Sequence, residues 1–245
     1  MTLKSASELD CMRRAGEVVR KVKKKLREEI LPGVTTAELD RVAEREIRAL
    51  GAVPSFKGLY GFPATICASL NDEVVHGIPS DRVIRDGDIV SIDVGAVVDG
   101  FHADSAFTVP AGRIGKRTQV LIDDTAESLQ RGIAQARAGA RVGDISAAVQ
   151  QYAEARGYGV VRQYVGHGIG RALHEDPPVP NHGPPGRGAL LRAGMTIAIE
   201  PMLNLGSWET EVLDDNWTVV TADGELSAHF EDTIAITDQG AEVLT

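Results

Sequence analysis

A chain of 245 residues with 35 Asp and Glu against 26 Lys and Arg, a net charge of −9, is a poor match for nucleic acid as its main ligand. Apolar residues make up 43% and charged residues 25%, the balance of a globular protein long enough to bury a core without staples. Cys11 and Cys67 give no disulfide framework, the first residues hold no apolar signal core, and no run nears the ~20 apolar residues of a membrane span, so the reading is a soluble, cytoplasmic protein.

Residues 8–30 place Leu9, Met12, Val19, Val22, Leu26 and Ile30 on one helical face. Eight Lys and Arg lie between Arg13 and Arg27, which is either a solvated face or a docking surface for something acidic. Thr35-Thr36-Ala37-Glu38 has the form of a capping box opening a second helix that stops at Gly51. Residues 64–109 read as strands and turns, and 118–138 and 144–156 as two more helices. The Pro/Gly-rich stretch 176–188 reads as an ordered surface loop. Strands follow at 195–203, 209–213, 217–221 and 228–237. Helices then strands, twice over, predict an α+β fold with antiparallel pairing.

Two of these segments are versions of one another. Val83-Ile84-Arg85-Asp86-Gly87-Asp88-Ile89-Val90-Ser91-Ile92-Asp93 matches Leu190-Leu191-Arg192-Ala193-Gly194-Met195-Thr196-Ile197-Ala198-Ile199-Glu200 in Arg, Gly and the last Ile. The helix at 144–156 echoes the one ending at Gly51. The expectation is one domain over 1–245, duplicated internally as approximately 1–117 and 118–245, with a site between its halves. Each repeat ends in an acid where the pattern wants an apolar residue. Burying an ionised carboxylate is costly unless a cation or strong donors compensate it, and a bound metal is the simplest compensation.

Asp99-Gly100 between apolar runs is a strong two-residue hairpin signal. Such a turn sets Val98 opposite Phe101 and Asp93 opposite Ala106, leaving Asp104 the diagonal neighbour of Asp93 on one face. Two carboxylates so placed raise one another's pKa unless cations lie between them, which fits a two-metal site. His167 and His174 lie in Gly166-His167-Gly168-Ile169-Gly170-Arg171-Ala172-Leu173-His174-Glu175, where three glycines point to backbone crowding near a ligand. Glu200 ends an apolar strand. Glu231 sits in His229-Phe230-Glu231-Asp232, where alternation alone leaves Glu231 and Asp232 both open. Four acids and one imidazole suit Mn, Fe, Co or Zn at a hydrolytic centre. His76, in Asn71-Asp72-Glu73-Val74-Val75-His76-Gly77-Ile78-Pro79, is a candidate proton donor rather than a ligand. His102 reads as a supporting or structural residue, and His182 and His229 receive no role. Asn216-Trp217-Thr218 matches a glycosylation sequon with no meaning in the cytoplasm.

From about residue 8 to residue 240 the chain resembles the type I methionine aminopeptidases, the short bacterial form within the M24 metallopeptidases. Asn71 to Pro79, Ser91 to Asp104, Gly166 to Glu175, Ala198 to Pro201 and Leu226 to Thr233 carry the resemblance. It implies the pseudo-twofold "pita-bread" α+β fold with antiparallel sheet. It implies two divalent metal ions (Co, Fe, Mn, Zn or Ni) held by Asp93, Asp104, His167, Glu200 and Glu231, with Asp104 and Glu231 bridging. On these grounds Glu231 is preferred to Asp232. Glu200 would move the proton of a metal-activated water, His174 would stabilise the oxyanion, and His76 would bond the scissile amide nitrogen. Phe62, Cys67, His76, His174, Tyr164 and Trp217 would bind the substrate. Leu59 stands where an aromatic is usual and Leu173 where Phe is usual, so the pocket departs from the commoner shape.

The implied activity is removal of the initiator methionine from nascent polypeptide N-termini when the second residue is small. A monomer is the family expectation, and the basic helix 8–30 is a candidate contact with the ribosome. The rival readings are a proline-directed peptidase on the same fold and a binding protein that has no catalysis.

Overall fold

Ser5 opens the first helix with a capping box, its hydroxyl accepting from the Glu8 amide while the Glu8 carboxylate accepts from the Ser5 amide. This helix, α1 (Ala6–Glu29), buries Met12, Val19, Val22 and Leu26, the stripe its spacing predicts. Thr35 and Glu38 form the expected capping box at the start of α2 (Thr36–Ala49), and the chain leaves that helix through Gly51 at a φ of +76°. The computed structural model describes residues 2–245.

Strand β1 (Val53–Pro54), a single 3₁₀ turn at Leu59–Gly61, β2 (Ile66–Leu70) and β3 (Glu73–Val75) lead into a long hairpin of β4 (Ile89–Val98) and β5 (Phe101–Pro110). Asp99 and Gly100 turn it with φ of +50° and +78°, the two left-handed residues a tight hairpin demands. Val98 faces Phe101 and Asp93 faces Ala106, the predicted register. β1 and β2 pair along the other edge of β4. Val19, Val22 and Leu26 of α1 pack on this sheet with Ile92, Val94 and Phe107.

The second half repeats the order with α3 (Lys116–Gln135), α4 (Val142–Glu154), β6 (Gly159–Val160), β7 (Gly166–Gly168), β8 (Glu175–Val179), β9 (Thr196–Ile199) and β10 (Met202–Asn204). It ends with β11 (Thr210–Val212), β12 (Val219–Thr221), β13 (Ser227–His229), β14 (Asp232–Thr237) and β15 (Gly240–Val243). A five-stranded sheet runs β15-β14-β9-β7-β8, and three-stranded sheets run β13-β10-β6 and β11-β12-β3. Among the described residues every strand pairing is antiparallel. The two halves share a set of contacts. Thr35 bridges Val83 as Arg141 bridges Leu190. The Ile84 amide donates to the Val34 carbonyl as the Leu191 amide donates to that of Ala140, both at 2.8 Å.

Two expectations need correction. The segment 176–188 is not loop throughout, because its first residues belong to β8, which pairs with β7. The strands expected at 195–203 and 228–237 are each broken, at Glu200-Pro201 and at Phe230-Glu231. Pro201 has no N–H for a ladder, and at these breaks a paired ribbon passes from one sheet to another. Both breaks contain a candidate acid.

Seven of the eight basic side chains of α1 have partners within the molecule. Arg13 pairs with Glu242 and Asp10, Arg14 with Asp99, Lys21 with Glu17, Lys23 with Asp232 and Lys25 with Glu29. Arg20 donates to the Leu244 carbonyl at 2.6 Å, and the Arg27 guanidinium lies 4.0 Å over the Phe107 ring. Lys24 is exposed and has no partner among the described residues. Among those residues no helix is long and apolar enough to cross a membrane.

Leu244 is clamped between α1 and β14, its amide donating to the Thr233 carbonyl at 2.9 Å. Gly16 is what lets α1 approach it, since a Cβ there would sit 2.1 Å from the Leu244 carbonyl oxygen. Gly16→Ala is therefore expected to cost about 1–3 kcal/mol of stability through overpacking. Urea unfolding followed by circular dichroism measures this, and an unshifted midpoint would mean that the 244 segment is free to give way.

Candidate metal centre and active site

The hairpin brings in the first two acids. Asp104 lies opposite Gly95, diagonal to Asp93 on the same face of the β4–β5 pair. From the other half, Glu231 meets them at its strand break. Ala106 and Glu231 exchange backbone hydrogen bonds of 3.2 and 3.0 Å. The Thr233 hydroxyl accepts from the Asp104 amide at 3.0 Å and donates to the Asp104 carbonyl at 2.8 Å. Glu200 follows β9, and the Asn181 side-chain amide donates to its carbonyl at 2.9 Å. His167 lies in β7 beside β9. The glycines around it relieve the backbone crowding expected there. A Cβ on Gly166 would lie 2.3 Å from the Ala198 carbonyl oxygen, and one on Gly168 2.3 Å from that of Asp176. The crowding at these two glycines is between neighbouring strands, while a Cβ on Gly170 would meet the Lys4 and Glu175 side chains.

All five residues open into one cleft. Nε2 of His167 stands 3.7 Å from Glu200 Oε1 and 4.0 Å from Asp104 Oδ2, gaps too long for hydrogen bonds. Ligand atoms of Asp104, His167 and Glu231 lie within 4.8 Å of one another. Nδ1 of His167 lies 2.9 Å from the Gly168 carbonyl oxygen, which can only accept. That contact puts the proton on Nδ1 and turns the Nε2 lone pair toward the acids. Burial depresses His167 to about 4, so the ring is neutral near pH 7. Burial, then the Asp104 charge, pushes Glu200 up to about 8, and burial raises Asp104 to about 6. Asp93 and Glu231 are driven well above the usual carboxylate range by burial and then by the neighbouring acids. Asp93 Oδ1, Asp104 Oδ1 and Glu231 Oε1 are buried without a hydrogen-bond partner. Three orphaned carboxylate oxygens beside a lone-pair nitrogen are a donor set that fits divalent cations.

The cleft holds about 530 Å³ of empty space, part of it open to solvent. Phe62, Cys67, His76, His174 and Trp217 line it, as do Leu59 and Leu173. The Phe62 and Trp217 rings meet edge-on at 5.0 Å, and His174 packs edge-on against His167 at 4.5 Å. Burial lowers His76 to about 4 and also lowers His174. Tyr164 stands one layer back, its ring edge-on to His76 at 5.5 Å. His102 turns away to Ser55, at 3.0 Å from its hydroxyl. Phe56 and Tyr60 also line the cleft, and sequence reasoning missed both. Tyr60 is 77% exposed and lies 6.1 Å from His174 in a stacked arrangement. The flanking Gly58 and Gly61 in Gly58-Leu59-Tyr60-Gly61 were the available signal for a turned, exposed aromatic.

Residues 10–238 match the model of metallopeptidase family M24. The chain is 55% identical to a methionine aminopeptidase of Clostridium perfringens over 243 residues, covering 99% of this chain and 98% of that one. It superposes with a TM-score of 0.99 on the crystal structure of a methionine aminopeptidase from Thermotoga maritima, at 45% identity, covering 100% of this chain and 99% of that one. A prolidase from Pyrococcus furiosus matches with a TM-score of 0.82 at 24% identity, covering 99% of this chain but 65% of the other, a likeness of fold alone. With a family match across nearly the whole chain, and five side chains of metal-binding type meeting in one cleft, this chain belongs to metallopeptidase family M24.

Proposed function

We propose that this chain removes the N-terminal methionine from nascent proteins whose second residue is small, as a cytoplasmic, monomeric, metal-dependent aminopeptidase. The observation that carries the reading is the convergence of Asp93, Asp104, His167, Glu200 and Glu231, with orphaned carboxylate oxygens, in one cleft that Phe62, Leu59, Leu173 and Trp217 also line. Divalent ions would be held by these five residues. When bound, such ions lower the pKa of water and polarise a carbonyl. The chain's own groups do the rest. Phe62, Cys67 and Trp217 receive the methionine side chain in a dry pocket, supported by Tyr164 behind His76. The Glu200 carboxylate takes a proton from the attacking water and delivers it to the departing amine. His174 donates a hydrogen bond to the developing oxyanion, and His76 bonds the scissile amide nitrogen. Burial lowers the pKa of both rings, which favours their neutral forms and adds no charge to the site. We further propose one catalytic domain over residues 1–245, derived from an internal duplication near residues 117–118.

Met-Ala-Ser is expected to release methionine, and Ala-Pro is expected to stay intact. Chelation should abolish the release, and Mn²⁺, Fe²⁺ or Co²⁺ should restore it. Glu200→Gln should lower kcat by about 10²–10⁴-fold. Cleavage of Ala-Pro alone would move the chain to the proline-directed branch, and cleavage of neither with metal bound would favour a binding protein.

Proton and metal binding should compete at this site. A carboxyl whose pKa is raised by folding holds its proton in the folded state above the unfolded value of about 4. Its contribution is therefore full below that value and is lost as pH rises through the folded pKa. With Asp104 raised to about 6 and Glu200 to about 8, the metal-free protein should lose Tm between pH 5 and pH 8. Saturating Mn²⁺ should flatten that fall, because cations then replace the protons. Differential scanning calorimetry with chelator and with Mn²⁺ tests this, and parallel curves would exclude it.

Ribosome contact through the helix at 8–30 would rest on Lys24, the one cation of the series left free among the described residues. Lys24→Glu should weaken co-sedimentation with ribosomes while leaving Met-Ala-Ser hydrolysis intact. Unchanged co-sedimentation would remove this contact from the reading.

A further inference from the structure

On the side of the metal centre away from the cleft lies a lysine that the chemistry above does not use. Lys23 belongs to the basic series of α1, yet its side chain and that of Asp232 are each only 14% exposed. Its Nζ donates to Ser105 Oγ at 2.5 Å and reaches Asp232 Oδ1 at 3.4 Å. The Ser105 hydroxyl has one hydrogen, and the Glu231 carbonyl oxygen, 2.5 Å away, is its nearest acceptor. Thr245 adds a hydroxyl contact of 3.3 Å to the same Asp232 oxygen. Ser105 follows Asp104 in the chain, and Asp232 follows Glu231. One ammonium group is thus tied to the residue next to each of two converging acids.

We propose that Lys23 is a positioning residue of the metal centre: through Ser105 and Asp232 it fixes the peptide units that carry Asp104 and Glu231, and so sets how their carboxylates face one another. The proposal rests on the metal-binding reading of the site. Its physical basis is the strand break at Phe230-Glu231. A residue within a ladder has its backbone held by paired strands on both sides. Glu231 has left β13 and has not yet entered β14, so among the described residues the Ala106 exchange is its only backbone tether besides the Lys23–Ser105 chain. Burying an ammonium ion on α1 carries a desolvation cost, and breaking such a pair from one side leaves an uncompensated charge. A surface ion pair would hold α1 in place without that cost.

The test separates position from charge. Removing Lys23 alone would make the centre more negative and favour cations, against the effect of misplacement. The double variant Lys23→Met with Asp232→Asn removes one charge of each sign and leaves the net field nearly unchanged. Ser105→Ala keeps both charges of the ion pair and deletes the hydroxyl that links Lys23 to the Glu231 carbonyl, together with its 3.2 Å contact to Asp232 Oδ1. Mn²⁺ binding to the full chain is measured by isothermal titration calorimetry, with far-UV circular dichroism reporting the fold. The expected result is a Kd for Mn²⁺ raised about 10–100-fold in both variants, the usual effect of losing a supporting contact. kcat for Met-Ala-Ser should fall with KM unchanged. Folded variants that bind Mn²⁺ within twofold of the parent would overturn the proposal and leave the pair as an anchor for α1. If the double variant does not fold, Ser105→Ala decides alone. A parent that binds Mn²⁺ but releases no methionine would sink the proposed activity, and the Kd comparison would still test Lys23.

Discussion

Four carboxylates buried around one imidazole are the constraint on which the rest of this structure depends. Each carries a desolvation cost when ionised, and each raises the cost of the next. All four are accordingly shifted toward the protonated form, Glu200 to about 8 and Asp104 to about 6. A fold assembled for stability alone would place apolar residues at these positions, as the flanking Ile92, Val94, Ile199 and Ile234 show. In the proposed function, a divalent cation would turn this mutual repulsion into shared attraction. Metal affinity, stability and pH dependence are therefore three readings of one electrostatic balance.

The two halves hold the acids in different ways. Asp93 and Asp104 sit within continuous, paired strands, where the ladder itself fixes the backbone. Glu200 and Glu231 sit at breaks where a ribbon passes between sheets, so side chains must supply what the ladder no longer does. Asn181 holds the Glu200 carbonyl, and Ser105 holds that of Glu231. Thr233 ties the Asp104 backbone to β14 by two hydrogen bonds and so joins the halves at the site itself. Breaks let a side chain leave the alternating pattern of a strand and point into a cleft between sheets. The supporting polar contacts are what keep that freedom from becoming disorder.

Much of this architecture was legible from local chemistry. The capping box at Thr35 and Glu38, the Asp99-Gly100 turn and the register that follows from it are short-range features, decided by residues adjacent in sequence. The acids stood out because they interrupt apolar strands. What escaped depended on distant partners. The break at Glu200-Pro201 was signalled by the proline, but the break at Glu231 has no local mark and follows from pairing with Met202 and Ile199 neighbours on another ribbon. The strand at Glu175–Val179 was hidden by Pro177 and Pro178, which are compatible with a sheet edge and read as loop by composition. Tyr60 is set into the cleft wall by the turn around it and not by any periodic pattern.

The basic helix shows how charge in a sequence differs from charge on a surface. Read along the chain, α1 is a cationic block. In the fold some of its cations pair along the helix, Lys21 with Glu17 and Lys25 with Glu29, while others meet acids far away in sequence, Glu242 with Arg13, Asp99 with Arg14 and Asp232 with Lys23, or carbonyls and rings such as Leu244 and Phe107. The exposed pairs among these, such as Arg14 with Asp99, add little energy each. Their collective effect is on arrangement: they set the rotation of α1 against the hairpin and against the segment around Glu242 to Leu244. The apolar stripe of Val19, Val22 and Leu26 allows several such rotations at similar cost, because burial is non-directional. Directional contacts select one of them, and the one selected puts Lys23 behind Asp104 and Glu231. Through Lys23 and Arg27 the cationic run thus reaches the face of the hairpin opposite the acids, at Ser105 and Phe107.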